Sequence, residues 1–355
     1  MDKVGVVPGG RDSAPLLLVT RGAFIDAVHY GYIAIVRSDG FICASAGEPA
    51  YAAVLRSGMK PIQVLSVIAS GAVEQFGLTD EELAVAAASH SGEEEHVAAV
   101  RSILNKIGKK ETDLQCGVHA PFMPHVAARM AAAGEEPGPI HNNCSGKHAA
   151  MLAACLANGW PVQGYNRLEH PLQQDILHRL ARFADVETNK IGIVVDGCGI
   201  PAFVLPLWRS ALAFARLADP GAAPAEDRDL AKSAVAAITG HSSYGSGKRG
   251  RLEAQLMEIG AGKLIAKVGA EGFYVVGIAP GTLGEAGYGL ALKLEEGITF
   301  NRAVDPIVVA ALEQIGALNE DHVEHLSDFK PREILNCLGE SVGGMEALFR
   351  LEMKD

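Results

Sequence analysis

Near its middle the chain carries the stretch His141-Asn142-Asn143-Cys144-Ser145-Gly146-Lys147-His148, where a polar loop turns into an apolar helix. After it, apolar residues recur at helical spacing: Met151, Leu152, Cys155 and Leu156. A helix start presents unpaired N–H groups and a partial positive charge, so a thiol placed there loses its proton more easily. The stretch therefore indicates a thiol of lowered pKa, with an N-capped surface turn as the alternative.

Length and composition describe a compact globular protein. The chain has 355 residues, 48% of them hydrophobic and 21% charged, with 40 glycines that suit tight turns. This length allows a large core and one big domain or two. We interpret 1–355 as a single domain whose middle, about 57–260, is mainly helical. The formal charge of −11 argues against a nucleic-acid partner, which needs a basic face.

The cysteines are thinly scattered, at Cys43, Cys116, Cys144, Cys155, Cys198 and Cys337. This is not a disulfide framework. Four of them are expected to be small core residues: Cys43, Cys116, Cys155 and Cys337. Residues 1–8 lack the apolar core of a signal peptide, and no apolar run approaches the length that spans a bilayer. The sequence therefore predicts a reduced, soluble, cytoplasmic protein with no membrane partner.

Strand and helix signals are distributed unevenly along the chain. Residues before Ser13 look like a loose leader. Strands are predicted at 16–19, 32–36 and 41–44, at 263–268, 272–278 and 287–294, within 334–351, and as a buried run at 191–195. Ser38-Asp39-Gly40 predicts a hairpin turn. Helices are predicted at 61–76, 93–107, 125–133, 147–157, 171–183, 208–217, 227–238, 251–259 and 303–315. Strands at both ends with helices between them predict an α+β fold, its antiparallel sheet built from the two termini.

The stretch Gly245-Ser246-Gly247-Lys248 is similar to a phosphate-binding loop but lacks two of its residues. Such a loop requires a glycine where Ser242 stands, and a serine or threonine where Arg249 stands. No clean strand precedes the stretch. We therefore interpret 241–250 as a basic, Gly-rich, mobile loop that could act as a lid.

A Ser-x-x-Lys pattern, Ser57-Gly58-Met59-Lys60, precedes Pro61 at a helix start. The spacing puts the amine one helical turn from the hydroxyl, on the same face. A serine hydroxyl is a poor nucleophile unless a base takes its proton, and a lysine is such a base when its pKa is lowered. The alternative is a helix cap with a solvated lysine.

Two more stretches follow in the order found in penicillin-recognising serine hydrolases. Ser89-His90-Ser91 ends an apolar run, and Lys267-Val268-Gly269 lies in a strand that precedes another strand. Those enzymes have Ser-x-Asn and Lys-Thr-Gly at these places, so Ser91 and Val268 are departures. The order of the three motifs predicts one cleft shared by four side chains: Ser57, Lys60, Ser89 and Lys267.

Other polar residues suggest a metal site or structural roles. Cys144, Lys147 and Cys198 lie in polar, turn-rich contexts. Two thiolates with His141, His148 or Asp196 could hold zinc, although the usual Cys-x-x-Cys spacing is missing. The alternative is two free thiols lining a pocket. The remaining candidates have no supporting pattern: His29, His170 and His241 are interpreted as structural, Asp26 and Asp196 as isolated acids, and Glu93 to Glu95 as a solvated helix start.

Taken together, these motifs resemble those of the rhizobial-type (class 3, asparaginase II) L-asparaginases. The matching stretches are Arg21-Gly22 with His29, Arg56-Ser57-Gly58-Met59-Lys60-Pro61, Ala88-Ser89-His90-Ser91, Asn143-Cys144-Ser145-Gly146-Lys147-His148, His170-Pro171-Leu172-Gln173, Asp196-Gly197-Cys198 and Lys267-Val268-Gly269-Ala270-Glu271. They cover most of the chain. Two departures bear on substrate contacts more than on the reaction class: 241–257 matches poorly, and Asp26 stands where many members have glutamate.

The resemblance implies hydrolysis of L-asparagine to L-aspartate and ammonia. It also implies a fold similar to that of serine β-lactamases and penicillin-binding proteins, and a homodimer. Two Ser–Lys tandems are implied, Ser57 with Lys60 and Ser89 with Lys267. A metal ion, usually zinc, is implied at Cys144, Lys147 and Cys198, and we expect that it is not essential for turnover.

The sequence thus predicts a serine amidohydrolase that forms an acyl-enzyme. Neutral Lys60 takes the proton of Ser57, and Ser89 relays a proton to the leaving ammonia. The residues expected to contact substrate are Arg56, Asp196, Cys144 and Cys198. Three alternatives stay open: a β-lactamase-like or peptide serine hydrolase, an amidohydrolase in which zinc-bound water attacks, and a non-catalytic amino-acid sensor.

Overall fold

One antiparallel sheet organises the fold in the computed structural model, which describes residues 12–246, 251–297 and 303–354. The strands in these ranges are β1 (Ala14–Arg21), β2 (Phe24–Arg37), β3 (Ile42–Ala46), β4 (Ala52–Val54), β5 (Gly192–Val195), β6 (Pro201–Pro206), β7 (Leu264–Val268), β8 (Phe273–Ile278), β9 (Tyr288–Leu294), β10 (Glu333–Leu335) and β11 (Ser341–Ala347). Eight of them form the main sheet, in the order β10-β11-β1-β2-β9-β8-β7 with β3 paired to β2. Since these strands come from the two ends of the chain, the predicted α+β fold is confirmed.

The hairpin between β2 and β3 shows how local sequence sets the pairing. Gly40 has a φ of +98°, which favours glycine, and its N–H donates to the Arg37 carbonyl at 2.8 Å. The turn aligns Val36 with Ile42. The hairpin predicted at Ser38-Asp39-Gly40 is therefore confirmed.

Helices surround the sheet and fill the middle of the chain. Those in the described ranges are α1 (Lys60–Ala69), α2 (Ala72–Phe76), α3 (Asp80–Ala86), α4 (Glu94–Lys106), α5 (Pro124–Ala133), α6 (Ser145–Ala157), α7 (Pro171–Phe183), α8 (Leu207–Ala218), α9 (Arg228–Gly240), α10 (Ser242–Ser246), α11 (Leu252–Gly260), α12 (Val304–Gln314) and α13 (Glu320–His325). Across the parts of the chain that are described, none is long and apolar enough to cross a membrane.

Helix α8 lies directly on the sheet, against β2, β8 and β9. Its close approach requires glycine, because a Cβ at Gly289 would lie 1.9 Å from the Ala211 carbonyl oxygen. Helices α1 and α6 form the buried centre of the helical layer. Their contact brings Lys60, at the start of α1, close to the start of α6, where Cys144 precedes the first turn.

A small sheet, ordered β4-β6-β5, corrects one prediction. The run at 191–195 does form a strand, but the predicted burial is wrong, because all four residues of β5 are exposed. Val195 is 77% exposed. The physical reason is that β5 is an edge strand that pairs with β6 alone within the described residues, and no element covers its side chains.

Three smaller differences separate the predicted elements from the observed ones: an interrupted helix, an exposed cysteine and a predicted loop that is partly helical. The helix predicted at 61–76 is interrupted at Gly71, which has a φ of +76°, so that α1 and α2 are separate. Cys337 is exposed rather than a core residue, because it follows the short edge strand β10. In the predicted loop at 241–250, 242–246 form helix α10, and 247–250 lie outside the described residues, as do residues 1–11 of the predicted leader.

Candidate active site

A cleft of about 1410 Å³ lies between the helical layer and one end of the sheet. Its wall is formed by the turn before α1, the start of α6, the loop after β5 and the residues after β7. Six of the residues predicted for the site line it: Arg56, Ser57, Ser89, Cys144, Asp196 and Cys198. The structure therefore brings together side chains separated by more than a hundred positions in sequence.

Two lysines and one serine form a buried cluster at this cleft. Lys60 Nζ donates to Ser89 Oγ at 3.0 Å, and Lys267 Nζ donates to the same oxygen at 3.2 Å. All three side chains are at most 4% exposed. Backbone carbonyls of Ala88 and Val268 accept further hydrogen bonds from the amines. Ser89 thus bridges the lysine of the first motif and the lysine of the third.

Ser57 lies in the same cleft but is arranged differently. It belongs to a 3-10 turn, Arg56–Met59, that leads into α1. Within the described residues its hydroxyl makes no hydrogen bond, and the side chain is half-buried at the cleft wall. Arg56, just before it, has a φ of +48°, a strained conformation of the kind that clusters at active sites. The amine of Lys60 therefore contacts Ser89 rather than Ser57, and Ser57 faces the cleft.

The surroundings of the two lysines favour their neutral form. Burial lowers the pKa of Lys60, with Lys147 acting in the same direction and Cys144 opposing it. Burial also holds the pKa of Lys267 well below its usual value, with Lys60 and Arg251 adding to this and Glu253 opposing it. A neutral amine can accept a proton, which is what a base for a serine hydroxyl must do.

The two thiols and Lys147 meet beside this cluster. Lys147 Nζ donates to Cys198 Sγ at 3.1 Å, and all three side chains are buried. A hydrogen bond from Cys198 lowers the pKa of Cys144 well below its usual value, helped by Lys147, and the same bond raises the pKa of Cys198. Burial opposes protonation of Lys147, but Cys144, Cys198 and Asp196 outweigh it and raise its pKa. Cys198 therefore lies between Cys144 and Lys147 and is hydrogen-bonded to both.

This group of donors fits zinc. Two sulfurs and one nitrogen are the soft and borderline ligands that zinc binds, and they converge on one point at the cleft wall. Of the other zinc ligands considered from the sequence, His148 Nδ1 lies 2.8 Å from the Tyr165 hydroxyl, and His141 Nδ1 accepts from the Gly138 N–H at 3.0 Å. Asp196 is paired with Arg56. Cys144, Lys147 and Cys198 are thus the residues that could hold a metal here.

An ion pair closes the side of the cleft nearest the thiols. Arg56 donates to Asp196 Oδ1, which also accepts from the Gly197 N–H at 2.8 Å. Burial acts to raise the pKa of Asp196, but Lys147 and Arg56 outweigh it and lower that pKa. The cleft therefore presents a fixed carboxylate and a guanidinium side by side, which suits the ammonium and carboxylate ends of an amino acid.

A comparison with known protein families shows which family the chain belongs to. The sequence profile described as L-asparaginase II matches residues 17–347. The chain belongs to the L-asparaginase II family. Membership supports an amidohydrolase, and the matched range contains every residue predicted for the site.

Solved structures give only distant likenesses to this L-asparaginase II family member. One is the Bacillus subtilis glutaminase YbgJ in a covalent complex with 5-oxo-L-norleucine, at 13% identity and TM-score 0.34, covering 84% of this chain and 88% of that one. Another is a probable glutaminase from Bacillus subtilis complexed with 6-diazo-5-oxo-L-norleucine, at 15% identity and TM-score 0.35, covering 80% and 84%. No curated protein matches the chain.

Sequence reasoning missed Arg251, which contacts the serine–lysine cluster of this family member. Its guanidinium donates to the Ser89 carbonyl at 2.8 Å and pairs with Glu253 at 2.9 Å. Both side chains are nearly buried, and both line the cleft. Arg251 lies within 241–257, the segment that matched the family poorly, so no local pattern pointed to it.

His90 was quoted in a motif but given no role. Its Nδ1 accepts from the Gly92 N–H at 3.2 Å, so its Nε2 carries the proton and donates to Ser145 Oγ at 2.8 Å. Burial lowers the pKa of His90 well below its usual value, with His96 and Lys60 acting in the same direction. A neutral His90 therefore ties the Ser89 loop to the start of α6.

Four residues considered as candidates do not line the cleft. His29 lies 3.3 Å from Glu296, and Asp26 lies 3.5 Å from Arg21 at the exposed end of the β1–β2 hairpin. His170 caps α7 by accepting from the Leu172 N–H at 3.2 Å. His241 lies 3.7 Å from Glu81. These contacts are structural, as the sequence interpretation expected for the three histidines.

Proposed function

We propose that the protein hydrolyses the side-chain amide of L-asparagine to L-aspartate and ammonia, as a rhizobial-type (class 3) member of its family. The observation that carries the proposal is the Lys60–Ser89–Lys267 cluster beside an accessible Ser57 in one cleft. Hydrolysis of an amide through serine needs an accessible hydroxyl and a base, and the half-buried Ser57 beside two buried lysines of lowered pKa supports these roles.

The proposed chemistry proceeds through an ester on Ser57. Ser57 Oγ attacks the side-chain carbonyl carbon while its proton passes to Lys60, one helical turn away. The C–N bond then breaks, and the nitrogen leaves as ammonia after taking a proton through Ser89, which both amines contact. Water attacks the acyl carbon and gives a proton to the lysine pair. The bond between that carbon and Ser57 Oγ then breaks, Oγ takes the proton back from the lysine pair, and L-aspartate is released. The hydrogen bond between Lys60 and Ser57 is expected to form only when substrate is bound, as is common for catalytic contacts.

Zinc is proposed as a bound but non-essential cofactor. Cys144, Lys147 and Cys198 would hold it, since their donor atoms already converge. When bound, zinc supplies a fixed positive charge at the cleft wall. The thiols and Asp196 orient the substrate there without taking part in proton transfer.

Removal of one thiol should abolish zinc binding. In protein grown with zinc available, Cys144→Ala is expected to lose the metal, because the remaining two donors cannot form a stable tetrahedral site. Cys155→Ala is the matched control, since Cys155 lies on the same helix and is buried but distant from the other donors. Elemental analysis of both variants checks this. Equal zinc content in the two variants would rule out the site.

Arg56 should contribute to substrate affinity more than to chemistry. Arg56→Gln is expected to raise KM for asparagine by about 10–100-fold, the range for losing a charge-assisted hydrogen bond, with a smaller change in kcat. Arg101→Gln is a control, because Arg101 is an exposed arginine of α4 paired with Glu111 outside the cleft. Steady-state kinetics of both variants measures kcat and KM separately. A fall in kcat at constant KM would place Arg56 in the chemical step instead.

The proposed activity is tested by assaying ammonia release from L-asparagine and L-glutamine alongside turnover of a chromogenic β-lactam. We expect asparagine to be hydrolysed fastest, and activity to persist after a chelator has removed zinc. Turnover of the β-lactam alone would indicate a β-lactamase-like enzyme. Loss of all activity on chelation would indicate attack by zinc-bound water. Asparagine binding without turnover would indicate a sensor.

A homodimer and a cytoplasmic location are proposed with the activity. The exposed β5 supports the dimer, because Ile193, Val194 and Val195 form an apolar strand whose outer edge is unpaired within the described residues. The free state of all six cysteines supports a reducing compartment. Sedimentation of the protein and of Val194→Lys is the test, with dimer expected for the first and monomer for the second.

A further inference from the structure

We propose that Glu93, Glu95 and His96 bind a divalent transition-metal ion at the start of α4, at a second site distinct from the thiols. One ligand atom from each of the three residues lies within 4.8 Å of the other two. The sequence pattern predicted a solvated helix start here. Glu94 is exposed and fits that description, but its neighbours are partly or fully buried and face one another.

The histidine is the observation that points to a metal. His96 is fully buried, and its Nε2 lies 3.1 Å from the Ser243 carbonyl oxygen. A carbonyl can only accept, so Nε2 carries the proton and Nδ1 presents a lone pair. Among the residues that the structure describes, Nδ1 has no hydrogen-bond partner. Metal-binding histidines typically donate their other N–H to a backbone carbonyl in this way, which fixes the ring for its ligand.

One oxygen of the carboxylate that faces this nitrogen also lacks a donor. Within the described residues Glu93 Oε2 is buried without a hydrogen bond and lies 3.8 Å from His96 Nδ1, whereas Glu93 Oε1 lies 3.9 Å from His125 Nε2. Two lone pairs facing each other in a buried place are unfavourable unless a cation lies between them. Ligands bound at about 2.0–2.2 Å to one ion lie roughly 3–4 Å apart, so the ion fits with small side-chain adjustments.

The start of a helix alone does not explain the group. Its partial positive charge stabilises carboxylates but would repel a cation, so the helix accounts for Glu94 and not for the buried imidazole. One imidazole with two carboxylates is a ligand set that suits Zn²⁺ or Mn²⁺. Mn²⁺ prefers oxygen and nitrogen to thiolate, so it separates this site from Cys144 and Cys198.

The bound ion would order the loop that carries Ser89. His96 joins α4 to α10 through Ser243, and its ring stacks on His90 at 5.4 Å. His90 in turn binds Ser145 at the start of α6. A metal at Glu93 and His96 therefore stabilises the contact of three elements beside the catalytic cluster without touching substrate.

The test measures Mn²⁺ binding by electron paramagnetic resonance, and zinc content, in full-length protein. A Glu93→Gln, Glu95→Gln double variant is expected to lose Mn²⁺ affinity by more than the roughly 10–100-fold that loss of an outer-shell partner costs. Glu94→Gln removes the same kind of charge from the exposed neighbour and should bind normally. A Cys144→Ser, Cys198→Ser variant should also bind Mn²⁺ normally, whether or not the thiols hold zinc.

Circular dichroism confirms that each variant is folded before binding is compared. If the glutamate variant does not fold, His96→Gln takes its place, because glutamine preserves polarity but offers no imidazole. Mn²⁺ should raise the melting temperature of the unaltered protein, of Glu94→Gln and of the Cys144→Ser, Cys198→Ser variant, but not that of the glutamate variant. Equal Mn²⁺ affinity in the glutamate variant and in Glu94→Gln, or no Mn²⁺ binding by the unaltered protein, would overturn the proposal.

Discussion

Replacing Ser57 with alanine is expected to abolish acyl-enzyme formation and to lower kcat for asparagine by roughly 10⁴-fold or more. Ser57 has the hydroxyl that faces the cleft, whereas Ser89 is buried and already bound by two amines. Ser57 also belongs to the 3-10 turn that leads into the Pro-containing first turn of α1, where helix N–H groups can stabilise an oxyanion. The fold and the thiol group should be unaffected, because the Ser57 hydroxyl makes no hydrogen bond within the described residues.

Ser89→Ala is the informative comparison. It removes the oxygen that bridges Lys60 and Lys267, so turnover should fall severely while some acylation still occurs. Mass spectrometry of protein quenched with asparagine locates the covalent adduct. Ser70→Ala, on a half-buried serine at the end of α1 that does not line the cleft, controls for loss of a hydroxyl. An adduct on Ser89, or near-normal rates for Ser57→Ala, would reverse the two roles.

The sequence predicted those parts of the fold that are determined by neighbouring residues, such as turns and helix ends. The turn at Ser38-Asp39-Gly40 was recognisable because glycine relieves the positive φ that the hairpin needs. The boundaries of α7 match because Pro171 starts the helix and a strongly periodic apolar face continues it. The exposure of β5 was not predictable, because a short apolar run has the same sequence pattern in a buried strand as in an exposed edge strand.

In the candidate site, too, the sequence predicted local features but not the long-range contacts. The Ser-x-x-Lys spacing marked the start of α1, and the structure puts Ser57 in the 3-10 turn Arg56–Met59 and Lys60 at the first position of the helix. Which serine the Lys60 amine contacts is decided by packing of α1 against the loop after α3, and no spacing encodes it. Arg251 acts on Ser89 across more than 160 positions of sequence through a backbone carbonyl, which any residue offers. A contact with a backbone carbonyl requires no particular residue at that position, so it produces no sequence motif.

Lys267→Met is expected to lower kcat/KM by about 10²–10⁴-fold, the usual contribution of a positioned proton-transfer group. Methionine keeps an unbranched side chain of similar length but cannot donate to Ser89 Oγ or share its proton. Lys263→Met, at an exposed lysine just before β7, is the matched control and should leave activity unchanged. A Lys267→Met enzyme with normal kcat/KM would show that the second lysine takes no part in proton transfer.

The same variant should change how stability depends on pH, and the direction follows from the pKa of Lys267. Burial holds that pKa well below the usual 10.5, so between the two values the unfolded chain binds a proton at Lys267 that the folded chain does not. The wild-type protein must therefore lose stability as pH falls through this window. Lys267→Met removes that contribution, so its stability relative to wild type should rise from about pH 9 to about pH 7. Urea unfolding at both pH values measures the difference, and a difference independent of pH would mean that Lys267 keeps its charge when folded.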